Sequence, residues 1–569
     1  MSLRLLDREF LDFCLHDWLA VGEIAERETV DAVLDLSETL ARERYLTHFK
    51  AGDAQEPQIG PEGVTVHAEV KAAVGAYAEL GLFGAGFPED LGGHGLPFTV
   101  TCASFAWFAA ANIATSSYAM LTVANARLIA EFGSAAQVDA FARPQIAGRW
   151  LGTMCLSEPQ AGSDLGAVRT RAERVGEDHL GHRYRLTGSK MWISGGEHDI
   201  GENIVHLVLA KVAAGDGRLP EGTAGLSLFI VPRVLPDGAR NDVAVAGLNH
   251  KMGYRAIPNC LLAFGENGGA TGWLVGREGQ GLRQMFMMMN EARICVGLGA
   301  AALACRGYGH ALGYAQERLQ GRLQGLGPEG ASVPIIAHAA VRRMLLAQKA
   351  LGEGALALCL YAARLVDGGD DDSAALLALL TPVVKTFSSE MGLEANAMAI
   401  QVHGGYGYTR DFDVEQVYRD NRLNPIHEGT TDIQAIDLLG RKLLRQGEGL
   451  AVLKGRITTT LAAASDGFAD QADALKAVWA EVEAGLEMLR ETEAALEVST
   501  PFLFAFGHAV VGWIWLDLAL SARGKGELLE QGTAAALRYY AACELPRVNA
   551  WLACCAAGAE VLEVDPGWM

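Results

Sequence analysis

Residues 204–212 read Ile-Val-His-Leu-Val-Leu-Ala-Lys-Val, and residues 226–231 read Leu-Ser-Leu-Phe-Ile-Val. Both runs are short, apolar and rich in β-branched residues, and turn-forming residues bound them, which is typical of β-strands. Shorter runs at 184–186 and 260–264 have the same character. Together these runs predict a compact sheet or a barrel-like β-domain over residues 154–272.

On either side of these strands the pattern is helical. Residues 1–153 carry apolar residues at helical spacing, as in Val70, Val74 and Tyr77, which predicts an N-terminal helical domain. After Gly281 the helical period runs without proline as far as Gln320, so one long helix or two joined helices open a helical domain over 273–445. Amphipathic segments in residues 446–569 predict an additional C-terminal helical bundle. The predicted fold class is therefore α+β.

Four interruptions of the helical pattern are predicted in the second half of the chain. A Gly- and Pro-rich connection spans 321–334, and turns fall near 465–467, 499–501 and 524–526.

The charge of the chain limits its partners. The formal net charge is −21, from 47 basic and 68 acidic residues. Such a charge repels a phosphate backbone unless a basic stripe is concentrated on one face. The basic pairs Arg342-Arg343 and Arg441-Lys442 lie inside amphipathic patterns, which is typical of solvated helix faces. We therefore expect no nucleic-acid partner.

The cysteines and the apolar segments of the sequence indicate in which cellular compartment the protein is expected. The ten cysteines include no Cys-x-x-Cys pair, so we expect no metal site and reduced thiols in a cytoplasmic protein. The charged residues at 7–9 precede any apolar stretch that could serve as a signal peptide. Residues 502–520 approach transmembrane length but include His508 and Asp517, which favours a buried helix. We expect no transmembrane segment.

Several common catalytic motifs fail when their context is considered. The run 297–302 formally fits a relaxed dinucleotide fingerprint, but no strand precedes it, and close helix packing explains its small residues better. His427-Glu428 could open a zinc-protease helix, but Thr431 occupies the position of the second histidine. The sequence contains no serine nucleophile elbow and no phosphate-binding P-loop.

Four segments, in order along the chain, carry the strongest functional signal. They read Leu-Ser-Glu-Pro-Gln-Ala-Gly-Ser-Asp-Leu at 156–165, Gly-Ser-Lys-Met-Trp-Ile-Ser at 188–194, Gln-Val-His-Gly-Gly-Tyr-Gly-Tyr at 401–408 and Ile-His-Glu-Gly-Thr-Thr-Asp-Ile-Gln at 426–434. This set resembles the signatures of the acyl-CoA dehydrogenase family. With the additional C-terminal bundle, the chain is similar to an extended bacterial subgroup that acts on methylmercaptopropionyl-CoA or on fatty acyl-CoA thioesters.

The resemblance implies that FAD is the cofactor and that a homodimer completes its site. Serine hydroxyls and backbone amides can hydrogen-bond the polar edge of a flavin, while an indole packs against its rings. Within one subunit the residues expected at FAD are Met154, Leu156, Ser157, Ser163, Trp192, Ser194, Thr430 and Asp432. Those expected to reach the FAD of the partner subunit are Arg318, Gln320, Gln401, Gly404 and Gly405.

The same resemblance implies an acyl-CoA substrate. The residues expected to contact it are Ser163, Asn290, Arg293, His427 and Gly429. Three positions depart from the family pattern, since Asn290 replaces an aspartate, Gly321 a phenylalanine and His427 a tyrosine. His427 either shapes the pocket and tunes its neighbour, or only packs, and the sequence leaves both interpretations open.

By resemblance, Glu428 is the catalytic base. It removes a proton from the α-carbon of the thioester while a hydride leaves the β-carbon for FAD, and the product is a trans-2-enoyl-CoA. The α-hydrogen is a weak acid, so donors must also polarise the carbonyl, and the resemblance supplies the backbone N–H of Glu428 and a ribityl hydroxyl of FAD. In a dry pocket we expect the pKa of the Glu428 carboxyl to rise toward neutrality.

The electron acceptor is expected to be an electron-transfer flavoprotein, although three alternatives remain open at this point. An acyl-CoA oxidase of the same fold would pass electrons to O₂. A DNA-associated flavoprotein of the same fold is disfavoured because residues 446–569 are acidic on balance. A scaffold or membrane-docking protein without catalytic activity would lack FAD.

Overall fold

The computed structural model describes residues 3–322, 331–464 and 467–569, and at 287–289 it describes the backbone alone. Most of the predicted connection at 321–334 and of the predicted turn at 465–467 therefore lies outside the described residues. Among those described, helices come first, strands follow, and helices continue to the C-terminus. This order confirms the predicted α+β class.

The strands all lie between residues 58 and 274 of the described chain. They are β1 Gln58–Gly60, β2 Gly63–Thr65, β3 Trp150–Cys155, β4 Arg171–Asp178, β5 Gly181–Ser194, β6 Asn203–Val212, β7 Leu226–Pro232, β8 Val243–Leu248, β9 Asn259–Phe264 and β10 Ala270–Leu274.

The α-helices flank these strands on both sides in sequence, with short 3₁₀ and π turns between them. The helices before and among the first strands are α1 Arg8–Asp12, α2 Arg27–Leu40, α3 Phe49–Ala54, α4 Ala68–Glu79, α5 Phe98–Phe132, α6 Ala135–Gln137 and α7 Arg143–Ile146. Those that follow are α8 Gly281–Glu317, α9 Ala339–Val366, α10 Asp371–His403, α11 Val414–Asn421, α12 Thr431–Ile436, α13 Glu448–Ala463, α14 Ala469–Arg490, α15 Ser499–Ser521, α16 Glu527–Tyr539 and α17 Arg547–Ala557.

The central strands close into a barrel. β10, β7, β6, β4 and β5 are hydrogen-bonded in that order, and β10 also pairs with β5, which completes a ring. β9 and β8 extend the sheet beyond β5, and β3 pairs with β6 in parallel. The predicted barrel-like domain is confirmed. β6 and β7 are buried along nearly their whole length, which explains why they were detectable as continuous apolar runs.

The described chain forms two compact units. The mixed unit comprises Val33–Pro97 and Ala111–Ala292, and the helical unit comprises Met1–Ala32, Phe98–Ala110 and Arg293–Met569. The chain passes from one unit to the other inside α5 and inside α8. The predicted division into four domains places its three boundaries elsewhere and stays a prediction.

Within the helical unit, α13 to α17 form the additional bundle that the sequence predicts. α15 is the most enclosed of these helices, with Phe502, Trp513 and Trp515 almost fully buried. It packs against α14, α16 and α17, and also against α10 and α12. The long apolar stretch at 502–520 is thus a buried helix, as predicted.

Three helical segments among the described residues are long and apolar enough to cross a membrane, judged by length and composition. They are Phe98–Phe132, Asp371–Tyr408 and Ala495–Ser521, and 89%, 72% and 83% of their most apolar windows are buried inside the protein. Their apolar surface is therefore largely used in packing. The absence of a transmembrane segment stays a prediction.

The start of α5 depends on a carboxylate from the end of α9. Asp367 accepts hydrogen bonds from the backbone N–H groups of Phe98 and Thr99, both at 2.8 Å, and from the Thr99 hydroxyl at 2.6 Å. Thr99 is fully buried. Because a buried N–H without an acceptor is costly, this capping interaction stabilises the packing of α5 inside the helical unit.

We predict that Asp367→Ala lowers the free energy of unfolding by about 1–3 kcal/mol, because three donors at the N-terminus of α5 lose their acceptor. Thermal unfolding followed by circular dichroism measures the change. The control is Asp372→Ala, an exposed residue in the first turn of α10, for which we expect a change within about 0.5 kcal/mol. Equal effects of the two variants would contradict the capping role.

Candidate active site

Glu428 lies in a strained loop between α11 and α12. Its φ is +52°, and the following Gly429 has φ +88°. A non-glycine residue in this left-handed region costs about 1–3 kcal/mol, which the surroundings must offset. Gln434 Nε2 donates to the carbonyl of Glu428 at 3.1 Å, and Lys385 Nζ donates to the carbonyl of Gly429 at 2.8 Å. These two donors hold the backbone on the C-terminal side of Glu428 in place.

Two effects shift the pKa of the Glu428 carboxyl in opposite directions. Burial raises the pKa of its carboxyl, while the positive charges of Arg293 and Lys385 lower it, and the net direction is upward. Lys385 is itself fully buried on α10, and burial lowers the pKa of its ammonium to about 8 against the attraction of Glu390 and Glu428. A raised pKa brings the carboxyl closer to the range in which a general base works, and the two cations keep that pKa from rising further.

Arg293 is held in a buried ion pair. Its guanidinium lies 2.9 Å from Asp437 Oδ2, and the Arg293 residue is only 3% exposed. The predicted contact of Arg293 with substrate stays a prediction, and what the structure shows is a cation that acts on Glu428 from within the protein.

The first turn of α12 is anchored from two other helices. Thr430 is the N-cap of α12, and its hydroxyl accepts from the N–H of Ile433. The Thr431 hydroxyl donates to Glu390 on α10. Asp432 accepts at 2.6 Å from the hydroxyl of Thr500 on α15. The additional C-terminal bundle therefore contacts the segment that carries Glu428.

His427 is an uncharged neighbour of Glu428. Burial, followed by the charge of Lys385, lowers the pKa of its imidazole to about 3. Its Nε2 lies 3.0 Å from Oδ1 of Asn424. The imidazole is therefore neutral near neutral pH.

The two segments predicted to contact FAD meet in the mixed unit. Lys190, fully buried on β5, donates to the carbonyl of Leu156 at 2.9 Å and to Oε1 of Glu158 at 2.9 Å. The N–H of Met191 donates to the carbonyl of Ser157 at 3.0 Å. Segments 156–165 and 188–194 are therefore held next to each other, and their shared role at FAD stays a prediction.

Glu158 and Lys190 form a buried ion pair with its hydrogen bonds satisfied. Burial favours the neutral acid, but the charge of Lys190 and donors from Thr170 and Arg169 hold the pKa of Glu158 at about 2. Burial lowers the pKa of Lys190, while Glu158 raises it. We conclude that the pair is ionised, because the carboxylate accepts from several N–H and O–H groups besides the ammonium.

Trp192 is presented on the surface of the mixed unit. It is 59% exposed and has φ +67°, at the irregularity in the pairing of β5 with β9 between Lys190 and Ile193. Nearby on the same strand, Ser194 Oγ accepts from Asn259 Nδ2 at 3.3 Å. A large exposed indole next to polar groups is suited to a flat aromatic ligand, and its strained backbone is typical of a functional position.

The other predicted cofactor residues of the mixed unit differ in exposure. Met154 and Leu156 pack partly against the hydrophobic core, Ser157 is partly buried, and Ser163 is exposed. Asn290 is partly buried on α8. Met154, Leu156 and Ser157 thus adjoin the segment of Trp192, while the structure shows no contact that assigns a role to Asn290.

The residues predicted to reach a partner subunit lie at an exposed end of the helical unit. Tyr314 stacks on His403 at 4.4 Å, which joins the ends of α8 and α10. The guanidinium of Arg318 lies 5.8 Å from the ring centroid of Tyr406. The exposed members of this group are Arg318, Gln320, Gln401, Gly404 and Gly405, and a Cβ added at either glycine would meet nothing within 4 Å.

Sequence reasoning missed three residues that hold the site together. Lys385, Glu158 and Lys190 are buried charges whose partners are distant in sequence. A signal for Lys385 was available, because it is a single charge within the apolar run 379–387, where a buried charge needs a partner. The identity of that partner was not readable from the sequence.

Comparison with protein families agrees with this geometry. Residues 32–149, 153–266 and 279–444 match the models described as the N-terminal, middle and C-terminal domains of acyl-CoA dehydrogenase. Residues 453–565 match a model described as acetyl-CoA dehydrogenase C-terminal like. The additional bundle thus corresponds to a recognised domain of its own.

Individual relatives cover most of the chain. 3-Methylmercaptopropionyl-CoA dehydrogenase of Ruegeria pomeroyi is 38% identical over 85% of this chain and 83% of its own length. The broad-specificity linear acyl-CoA dehydrogenase FadE5 of Mycobacterium tuberculosis is 37% identical over 77% of this chain and 74% of its own. A Bacillus anthracis acyl-CoA dehydrogenase solved in complex with FAD has the same fold, with 20% identity, a TM-score of 0.76, and coverage of 93% of this chain and 88% of its own. The chain belongs to the acyl-CoA dehydrogenase family.

Proposed function

We propose that the enzyme uses FAD to dehydrogenate an acyl-CoA thioester to the trans-2-enoyl-CoA, with Glu428 as the base. The observation that carries this proposal is the loop at Glu428, where a carboxylate with a raised pKa is fixed by donors to its own carbonyl and to that of Gly429. Membership of the acyl-CoA dehydrogenase family supports the reaction class.

The residues of the mixed unit fit FAD. The exposed indole of Trp192 offers an apolar face, and the Ser157 and Ser194 hydroxyls offer polar groups on the two segments that Lys190 joins. The Bacillus anthracis structure complexed with FAD supports this assignment. When bound, FAD accepts the hydride that leaves the β-carbon of the substrate.

The protein contributes proton transfer and orientation. Glu428 takes the proton from the α-carbon, and its backbone N–H donates to the thioester carbonyl, which stabilises the negative charge that develops there. Because Glu428 O and Gly429 O are held by Gln434 and Lys385, the carboxylate and the N–H keep a fixed relation to each other. Neutral His427 adds no positive charge that would weaken the base.

The substrate class is proposed from the relatives. One acts on 3-methylmercaptopropionyl-CoA and the other on linear acyl-CoA thioesters of several lengths, by their names. We propose a linear acyl chain with tolerance for a thioether. Anaerobic titration of the purified enzyme with acyl-CoA thioesters of different length and branching, followed through loss of flavin absorbance, tests cofactor, chemistry and substrate together.

We propose an electron-transfer flavoprotein as the acceptor and a homodimer as the working assembly. The exposed group that contains Arg318 and Gln401–Gly405 suits a site shared between subunits, and Tyr406 and Tyr408 beside it are 50% and 89% exposed. We also propose a cytoplasmic location, because the ten cysteines, all within the described residues, form no disulfide. An oxidase of the same fold would instead give peroxide in air in proportion to substrate consumed.

We predict that Glu428→Gln retains FAD and its fold but loses flavin reduction by acyl-CoA by about 10²- to 10⁴-fold, because an amide cannot take the proton. Stopped-flow absorbance under anaerobic conditions measures the rate. The matched control is Glu394→Gln, which removes a carboxylate that pairs with Arg547 elsewhere in the helical unit. Reduction of Glu428→Gln at the wild-type rate would refute the assignment of the base.

We predict that Lys385→Met moves the acid limb of the kcat/KM profile to higher pH. Glu428 must be ionised to act, so activity rises as pH rises through its pKa, and loss of the Lys385 charge raises that pKa further. Lys454→Met, an exposed lysine paired with Glu483, controls for the change in net charge and should leave the limb in place. A limb that stays unmoved in Lys385→Met contradicts the electrostatic role.

We predict that Lys190→Met weakens binding of FAD to the apoprotein by about tenfold or more, because Glu158 becomes an unpaired buried charge between the two FAD segments. Quenching of FAD fluorescence on binding gives the Kd. The double variant Lys190→Met with Glu158→Leu removes both charges and should recover part of the loss. An unchanged Kd in the single variant would show that the pair does not shape the cofactor site.

A further inference from the structure

A chain of buried asparagines leads from His427 into the helical unit. Asn424 Nδ2 donates to Asn421 Oδ1 at 2.9 Å, and Asn421 Nδ2 donates to Asn396 Oδ1 at 2.6 Å. Asn396 Nδ2 donates to the carbonyl of Leu303 on α8 at 2.9 Å. Three fully buried amides with no charged member form a continuous path from α8 through α10 and the end of α11 to the catalytic loop.

The far end of this chain fixes its direction. A backbone carbonyl can only accept a hydrogen bond, so Asn396 must turn its NH₂ group toward Leu303 and its oxygen toward Asn421. Asn421 is fixed in the same sense, because its Nδ2 also donates to the carbonyl of Ala300 at 3.3 Å. Each amide in turn presents its oxygen to the next residue, and the last oxygen, Oδ1 of Asn424, faces His427 Nε2.

The orientation of Asn424 determines the tautomer of His427. Because Oδ1 only accepts, Nε2 of His427 must carry the hydrogen, and in the neutral ring Nδ1 is then the unprotonated nitrogen. The carbonyls of Leu303 and Ala300, which can only accept hydrogen bonds, thus determine through the three amides which nitrogen of the imidazole beside the base carries the hydrogen.

Two glycines make room for the chain. A Cβ at Gly307 would lie 2.4 Å from Asn396 Nδ2, and a Cβ at Gly392 would lie 3.2 Å from Asn421 Nδ2 and 3.1 Å from the carbonyl of Ala300. The packing of α8 and α10 is therefore adapted to the amide groups. Because both helices have a glycine where a side chain would crowd an amide, we infer that the packing of this protein is specific for the asparagine chain.

We propose that His427 is a positioning residue for Glu428 and that the Asn396–Asn421–Asn424 chain holds it as the neutral Nε2–H tautomer. The inference rests on the proposed role of Glu428. On the C-terminal side, Lys385 and Gln434 hold the strained backbone of the base, and on the N-terminal side the asparagine chain holds His427. Hydrogen bonds thus fix the polypeptide on both the N-terminal and the C-terminal side of Glu428.

The charged groups around this loop come from several elements. Among them, Lys385 acts on His427 and disfavours a second positive charge there. The titratable and charged groups near the loop are Lys385 and Glu390 on α10, Arg293 on α8, Glu428 itself, and Asp437 and Lys442 after α12. An imidazolium at position 427 would add to the cations that lower the pKa of Glu428.

Asn424→Ala tests the positioning role by removing the acceptor for His427. We expect kcat to fall by about tenfold, with KM within about twofold of wild type, because the base is misplaced while substrate binding is retained. The matched control is Asn241→Ala, a buried asparagine of the mixed unit that donates to two backbone carbonyls. It should lower the melting temperature but leave kcat unchanged. An unchanged kcat in folded, FAD-loaded Asn424→Ala overturns the proposal.

Asn424→Asp tests the same role through pH. A carboxylate at the acceptor position favours the imidazolium, so His427 gains a proton as pH falls, and kcat should decline more steeply on the acid side than in wild type. The double variant Asn424→Asp with His427→Gln should lose the added steepness. A profile of Asn424→Asp that superimposes on wild type contradicts the proposal.

A spectroscopic measurement separates this inference from the proposed function. ¹⁵N-histidine NMR of the holoenzyme, with the His427 signal assigned by its loss in His427→Gln, should show the Nε2–H tautomer without titration between about pH 5 and 8. A titrating His427, or the Nδ1–H tautomer, overturns the inference even if Glu428 is the base. Conversely, wild-type enzyme that fails to reduce its flavin with acyl-CoA refutes the proposed function and leaves this readout valid.

Discussion

A lysine ammonium inside a protein must find oxygen acceptors or give up its charge. Lys385 meets this requirement at the carbonyl of Gly429, and in doing so it fixes the loop in which the backbone of Glu428 is left-handed. The same charge faces the Glu428 carboxylate, whose burial pulls its pKa the other way. Lys385 therefore acts on the position of the loop, together with Gln434, and on the pKa of its carboxyl, together with Arg293.

The mixed unit uses the same arrangement at a different place. Lys190 donates to the carbonyl of Leu156 and pairs with Glu158, so that two segments far apart in sequence form one surface. In both units a buried lysine donates to a backbone carbonyl and acts electrostatically on a carboxylate, and at Lys190 that action is a direct ion pair. Exposing such a lysine, or replacing it with an apolar residue, would leave its partner unpaired. The position of each loop therefore depends on the core that surrounds its lysine.

The sequence predicted what depends on local pattern. The continuous apolar runs of β6 and β7 gave the barrel, and the proline-free stretch after Gly281 gave the single helix α8. The strand β4 was missed because its residues are mostly polar and exposed, and without an apolar run only its pairing with β5 identifies it. The β1–β2 hairpin was missed for a similar reason, since β1 is exposed throughout. Contacts such as Arg293 with Asp437, separated by 144 positions, have no local signature that periodicity could reveal.

Gly307 and Gly392 carry no functional group, yet they preserve the asparagine chain by leaving space for it. A relative that gains a side chain at the position of Gly307 has to move or give up the amide of Asn396, and without that amide Asn421 loses one of the two acceptors that orient it. The glycines and the asparagines should consequently be inherited as a set, present together in one lineage and replaced together in another. Two positions without a side chain thus predict, on the evolutionary scale, which sequences keep the amide chain that ends at His427.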